Sequence, residues 1–297
     1  MTRHDGMDTT ELLAKVRTIE IKTKGLSTQL FSGQYHSAFK GRGMSFSEVR
    51  SYTWGDDVRF IDWNVTARSG TPHVKVFEEE RELTVLLLID ASASTRTGSQ
   101  SARKQDVMTE IAAVLAFSAI HNNDRVGVLI FSDEVEQYIP PGKGKKHILR
   151  IIRELVNIDR RERQTDIGHA LRYVNNLEKK RAVCFVLSDF IDEGYGDALR
   201  IVAKRHDLVG IHVYDPFERN LPDAGLVKLR DFETGATALY DTSDKRLRDA
   251  WNVRFNENLH RMTDRFNRAR ADAVSIATDA PYVHALLRLF ERRERRR

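Results

Sequence analysis

Leu83-Thr-Val-Leu-Leu-Leu-Ile-Asp-Ala-Ser-Ala-Ser94 opens with an uncharged run, Leu83 to Ile89, that ends abruptly at Asp90-Ala-Ser92-Ala-Ser94. A short apolar run without polar alternation predicts a strand buried on both faces, as in a parallel sheet covered by helices. The D-x-S-x-S that follows then lies just outside the carboxyl end of that strand, where open α/β sheets build their sites. One carboxylate and two hydroxyls from a single turn are hard oxygen ligands, suited to Mg²⁺ or Mn²⁺ rather than zinc. The same residue types also cap helices, and this segment alone leaves both readings open.

Downstream, strand and helix patterns alternate. A helix is predicted from Lys104 to Ile120, with Val107, Ile111 and Leu115 on its apolar face. Val126–Phe131 is a further buried strand, and Val135–Ile139 an edge strand ending at Pro140-Pro141. Helices follow around Ile148–Leu155 and Ile167–Leu177, with Arg163-Gln-Thr165-Asp166 between them. Val183–Leu187 is a buried strand ending at Ser188-Asp189, then come a helix near Tyr195–Lys204 and a strand Leu208–Tyr214. Turn residues and two short strand-like pieces around Glu233-Thr-Gly-Ala236 predict a β-hairpin insert at about 215–241. The long helix Asp244–Ala271, a strand Val274–Ala277 and a helix Tyr282–Glu291 complete the chain. This alternation implies right-handed βαβ units and a doubly wound, mainly parallel sheet flanked by helices.

Upstream, Thr9 to about Lys24 reads as an amphipathic helix with Leu12, Leu13, Val16 and Ile19 on one face. Gly41-Arg-Gly43 follows no strand and lacks G-K-[ST], which disfavours a phosphate loop. Ser45–Arg68 is dense in charge and aromatics, including Glu48, Arg50, Trp54, Asp56, Asp57, Arg59, Asp62 and Trp63. The adjacent carboxylates Asp56 and Asp57 invite a catalytic reading, yet Gly55-Asp-Asp57 is also turn chemistry. A structural clasp of ion pairs with buried aromatics is the preferred expectation. Val74–Phe77 alternates like a strand.

At 297 residues with 41% hydrophobic and 31% charged side chains, the chain can bury a sizeable core. Cys184 is the lone cysteine, which rules out an internal disulfide and any multi-cysteine zinc site. No apolar run reaches the roughly 18–20 residues of a membrane span, and the first residues lack a signal-peptide apolar region, so a cytoplasmic location is expected. The net charge of +5 is modest and concentrated in arginines from Arg288 to Arg297. No stacking aromatics interleave with them, which favours a solvated helix end over nucleic-acid binding.

Parallel strands put their carboxyl ends on one sheet edge, so Asp90, Ser92, Ser94, Thr165 and Asp189 can converge. Together they resemble the metal-ion-dependent adhesion site of von Willebrand factor A domains. Further upstream, Gly33-x-x-x-Ser37, Gly41-x-Gly43, Phe46-x-Glu48-x-Arg50-x-Tyr52, Gly55-Asp-Asp-Val-Arg59, Ile61-Asp-Trp63 and Ala67-Arg68 resemble the domain of unknown function 58 family. The resemblance implies a von Willebrand A-like domain over 82–297 and a family-specific N-terminal region, 1–81, packed on it. It implies one Mg²⁺ or Mn²⁺ held by the five residues. Also implied is partnership with a MoxR-type AAA+ ATPase, a client protein, or both, with the partner supplying an Asp or Glu to the metal. Phe190 follows Asp189 where many relatives carry glycine.

The expected function is therefore a non-enzymatic, metal-dependent protein-binding module. The alternative is a Mg²⁺-dependent phosphoester hydrolase, for which Asp166 and His169 are the nearest candidate groups in sequence. Nucleic-acid binding through Lys143–Lys146 and the arginine tail rests on charge alone.

Overall fold

The structure is a computed structural model that describes residues 14, 16–20, 22, 44–79, 82–96, 98, 103–158, 164–230 and 236–296. Two compact units are present: residues 40–83, and residues 1–39 together with 84–297.

The larger unit is built on a six-stranded sheet. Its strands are β3 (Thr84–Asp90), β4 (Arg125–Phe131), β5 (Val135–Gly142), β6 (Val183–Ser188), β7 (Asp207–Tyr214) and β10 (Asp272–Ala277), in the order β10-β7-β6-β3-β4-β5. All neighbours run parallel except β5, which pairs antiparallel with β4 at the edge. That edge position explains how β5 runs on through Pro140 and Pro141 instead of ending before them, since missing N–H groups are tolerated there. From β3 the chain winds outward to β4 and β5, then returns to β6 on the other side of β3 and proceeds to β7 and β10. The carboxyl ends of β3 and β6 therefore flank the topological switch point, where ligands bind in open α/β sheets.

Burial accounts for the uncharged central strands. Val85 to Asp90 are buried without interruption, as are Val183 to Ser188. Leu86, Leu88, Leu129, Phe131, Cys184 and Val186 form one core face with residues of α4 (Ile167–Leu177), α5 (Gly196–Ala203) and α7 (Lys245–Arg268). Alternation along the strand sends Val85, Leu87 and Ile89 to the opposite face. The helix α2 (Lys104–His121) differs from the amphipathic expectation. Ala112, Ala113, Ala116 and Ala119 are buried along with Val107, Ile111 and Leu115, so small side chains let it sink in on several sides. Burial pushes the Cys184 thiol well above its usual range, making it a packing group rather than a nucleophile.

The expected hairpin insert is present as β8 (Leu226–Arg230) and β9 (Thr237–Asp241), paired antiparallel. A short helix α6 (Pro216–Arg219) precedes it, and the Glu233–Gly235 part of the expectation lies outside the described residues. At the N-terminus, residues 16–20 are helical, with Val16 buried. Lys22 pairs with Glu110 of α2 at 2.7 Å, and Glu20 pairs with Lys145 of α3 (Lys145–Val156) at 2.5 Å. Leu12, Leu13 and the glycines Gly33, Gly41 and Gly43 lie outside the described residues.

In the smaller unit, β1 (Met44–Ser51) pairs antiparallel with β2 (His73–Glu79). No strand was expected at β1, which lies in the charged, aromatic stretch. Asp62 caps α1 (Trp63–Ser69), and Gly70 closes it in the left-handed region at φ 73°. The clasp has its ion pairs: Arg50 donates two hydrogen bonds of 2.7 Å to Asp56, and Arg59 binds Asp57. Both carboxylates lie below their usual range because of these arginines. Among the described residues no aromatic of the clasp is buried, contrary to expectation. Trp54 is 100% exposed and Trp63 69%, because Trp54 sits in the Thr53–Asp56 turn that the Arg50–Asp56 bonds hold.

One close approach on the sheet tests the packing. The Phe266 ring of α7 lies on Gly210 of β7, so an added Cβ would fall 2.4 Å from ring atom Cζ. Gly210→Ala is expected to cost about 1–3 kcal/mol by overpacking, and Phe266→Leu in the same chain to return part of it. A double-mutant cycle of unfolding free energies checks this; strict additivity would refute the contact.

Candidate metal centre

The turn after β3 is fixed by its own polar groups. Asp90 Oδ1 accepts from the Ser92 N–H at 2.9 Å, and Asp90 Oδ2 accepts from the Ser188 hydroxyl at the end of β6 at 2.5 Å. The Ser92 and Ser94 hydroxyls lie 3.0 Å apart, and the Thr95 hydroxyl donates to the Ser92 carbonyl. The chain turns through a short 3₁₀ segment, Ala93–Arg96, instead of entering a long helix directly. Asp90 and Ser92 are fully buried, so neither serves as an exposed cap.

Two further loops meet this turn. The loop carrying Thr165 is stitched to the end of β4, where the Asp166 N–H donates to the Ser132 carbonyl at 2.9 Å. It is also stitched to the loop after β6, where the Ile167 N–H donates to Asp192 Oδ2 at 2.9 Å. Asp189 follows β6 directly. Its Oδ2 accepts from Lys104 Nζ at 2.8 Å. Its Oδ1 and the Thr165 hydroxyl oxygen are both buried and have no hydrogen-bond partner. Buried oxygens in this condition are expensive unless something completes them. Four of the five residues singled out in the sequence are thus joined around β3 and β6, and Thr165 brings an unpartnered oxygen on an adjacent loop.

The electrostatics point the same way. Burial, then the nearby Asp189 charge, lift Asp90 well above the usual carboxylate range. Burial also lifts Asp189, but the Lys104 ammonium and the Ser94 hydroxyl outweigh it and hold this carboxyl low. His212, fully buried on β7, is pushed down to about 4 by burial and stays neutral at pH 7, so it supplies no counter-charge. An all-oxygen set with two orphaned buried oxygens and an under-compensated carboxylate fits a hard divalent cation.

Two contributors escaped the sequence reading. Lys104, the first residue of α2, is completely buried and bridges Asp189 to Glu218 Oε1 at 2.6 Å. Glu218 is held in turn by a capping box on α6: its Oε2 accepts from the Asp215 N–H, and Asp215 accepts from the Phe217 N–H. Both lie far from the motif in sequence. The available signal was a cation at the positive end of a helix, where the dipole disfavours it. Asp166 and His169, the candidates for hydrolysis, are otherwise engaged. Asp166 caps α4 through the His169 N–H, and the His169 ring lies 3.4 Å from the Asp133 carbonyl.

Phe190 adopts the left-handed conformation at φ 53°, a region that favours glycine. Its ring compensates: it packs edge-on against Phe266, with centroids 5.4 Å apart, and lies beside Tyr195 and His212.

The fold is a doubly wound, mainly parallel α/β sheet flanked by helices, with a buried cluster of carboxylates and hydroxyls at its switch point. Over residues 48–261 the sequence matches the family described as protein of unknown function DUF58, and the chain belongs to that family. It is 30% identical over 298 residues to the uncharacterized protein Rv1480 of Mycobacterium tuberculosis, covering 99% of this chain and 93% of that one. Similar solved structures include the conserved hypothetical protein BatB from Bacteroides thetaiotaomicron, at 15% identity and TM-score 0.48, covering 72% of this chain and 99% of that one. The SpRpn10 VWA domain matches at 13% identity and TM-score 0.39, over 70% of this chain and 95% of that one.

Phe190→Ala deletes the ring but keeps a Cβ in the left-handed region, and is expected to cost about 3–5 kcal/mol. Phe190→Gly loses the same ring yet relieves the backbone, and should be more stable than the alanine variant by about 1 kcal/mol. Chemical denaturation reads the difference. An alanine variant equal to or more stable than the glycine variant would contradict the strain assignment.

Proposed function

We propose that this protein is a non-enzymatic, metal-dependent protein-binding module of the cytoplasm and a partner of a MoxR-type AAA+ ATPase. One divalent ion, Mg²⁺ or Mn²⁺, would be held by Asp90, Ser92, Ser94, Thr165 and Asp189. The observation that carries this reading is that two oxygens of the set, Thr165 Oγ1 and Asp189 Oδ1, are buried without a hydrogen-bond partner, while Asp189 lies close enough to Asp90 for its charge to be felt there. A bound Mg²⁺ rarely sits in an all-protein cage and keeps open positions, so it would offer a coordination site to an acidic side chain of the ATPase or of a client. The ATPase as partner is what the family resemblance implies, and the capture experiment below tests it directly. Among the described residues no helix is long and apolar enough to cross a membrane.

Thr165→Val tests the proposal cleanly, because it removes a hydroxyl that holds no hydrogen bond and keeps the side-chain shape. Capture of the purified ATPase is expected from wild type in Mg²⁺, and to fall at least tenfold in EDTA or with Thr165→Val, while circular dichroism stays unchanged. Equal capture in EDTA and by the variant would place the interaction on another surface and defeat the metal-dependent reading.

A further inference from the structure

We infer that Lys104 is a built-in counter-cation that competes electrostatically with the divalent ion and sets the site's metal affinity low, with Glu218 holding it in place. This inference rests on the metal reading above and concerns how that same site is tuned. Three observations carry it. First, Lys104 is completely buried, yet its ammonium touches only one oxygen of Asp189, at 2.8 Å, and leaves Oδ1 open. The lysine therefore neutralises a metal-facing carboxylate without filling the position a metal would take. Second, Glu218 Oε1 lies 2.6 Å from the same nitrogen, and the capping box fixes Glu218 from its other oxygen. The ammonium is thus anchored from behind rather than left to swing out. Third, Lys104 occupies the first turn of an 18-residue helix whose preceding residue, Arg103, makes no side-chain capping bond. A cation there opposes the helix dipole, so the helix does not require it; the carboxylates do.

The consequence follows from charge. Asp189 and Glu218 share the Lys104 ammonium, whereas Asp90 accepts from the Ser92 N–H and the Ser188 hydroxyl. A divalent ion entering beside Asp189 meets a carboxylate already partnered by a positive charge a few ångströms away, and the repulsion is strong in a buried setting. Removing the lysine charge strengthens metal binding, removing the Glu218 charge weakens it, and removing both restores the wild-type balance.

The experiment measures Mn²⁺ binding to the full chain by electron paramagnetic resonance, alongside the unfolding temperature with and without Mn²⁺. Wild type, Lys104→Met, Glu218→Gln and the Lys104→Met/Glu218→Gln double variant are compared. Lys104→Met is expected to bind Mn²⁺ at least tenfold more tightly than wild type and to gain more thermal stability from it. Glu218→Gln is expected to bind at least threefold more weakly. The double variant, which removes one charge of each sign and so keeps the net charge of the site, should return to within a few-fold of wild type. Glu218→Gln, which keeps the Lys104–Asp189 pair, remains informative if either variant lacking the lysine folds poorly without metal. Tight binding by Lys104→Met with none by wild type would support the same inference in a stronger form. Equal or weaker binding by Lys104→Met, with wild type binding normally, would overturn the role of Lys104 and leave the metal site standing. No Mn²⁺ binding by any of the four proteins would overturn both.

Discussion

The interior of this protein carries an imbalance of charge at one point. At the carboxyl ends of β3 and β6, Asp90 and Asp189 are buried together, and the Lys104 ammonium is shared between Asp189 and Glu218. A buried carboxylate without a partner is costly enough that it takes up a proton instead, which is what the upward displacement of Asp90 expresses. Breaking a buried ion pair by removing one partner typically costs about 3–5 kcal/mol. The Lys104 pairs therefore link α2 and α6 to the β6 loop.

Sheet topology is what makes this concentration possible. Because β3 and β6 are neighbours whose chains continue in opposite directions across the sheet, their carboxyl ends open onto a gap that no crossover helix fills. Backbone bonds then draw in the other loops. The Ala91 N–H donates to the Phe131 carbonyl, the Asp166 N–H to Ser132, and the Ile167 N–H to Asp192. These bonds fix the loops that carry the oxygen cluster, and the Ser92 and Ser94 hydroxyls are further tied to each other at 3.0 Å. The aromatic plug of Phe190, Phe266, Tyr195 and His212 backs the same loop and offsets the left-handed backbone at Phe190.

Much of this was legible in the chain. Leu83–Ile89 and Ala182–Leu187 are uncharged because both faces of their strands are covered, and the D-x-S-x-S step marks the strand end. The five oxygen-bearing residues could be placed on one sheet edge by topology alone. Lys104 and Glu218 could not, because their meeting depends on where two distant helices begin. Periodicity also understated α2, where alanines rather than large residues permit burial on several sides. The extension of β5 through two prolines depends on its edge position, which composition does not reveal. In the smaller unit, charge complementarity predicted ion pairing without naming partners, and the structure realises it as Arg50–Asp56 and Arg59–Asp57. Aromatic content did not predict burial, since a tryptophan at a turn has nothing of its own unit to cover it.

The claim on which the account turns is that the oxygen cluster beside β3 and β6 is a cation site. Anomalous diffraction from crystals of the wild-type protein grown in Mn²⁺ addresses it most directly. The account predicts one strong Mn²⁺ peak within coordination distance of Thr165 Oγ1 and the Ser92 and Ser94 hydroxyls, with Lys104 still paired to Asp189 and Glu218. A cluster without a peak, or Mn²⁺ bound only elsewhere on the chain, would contradict it.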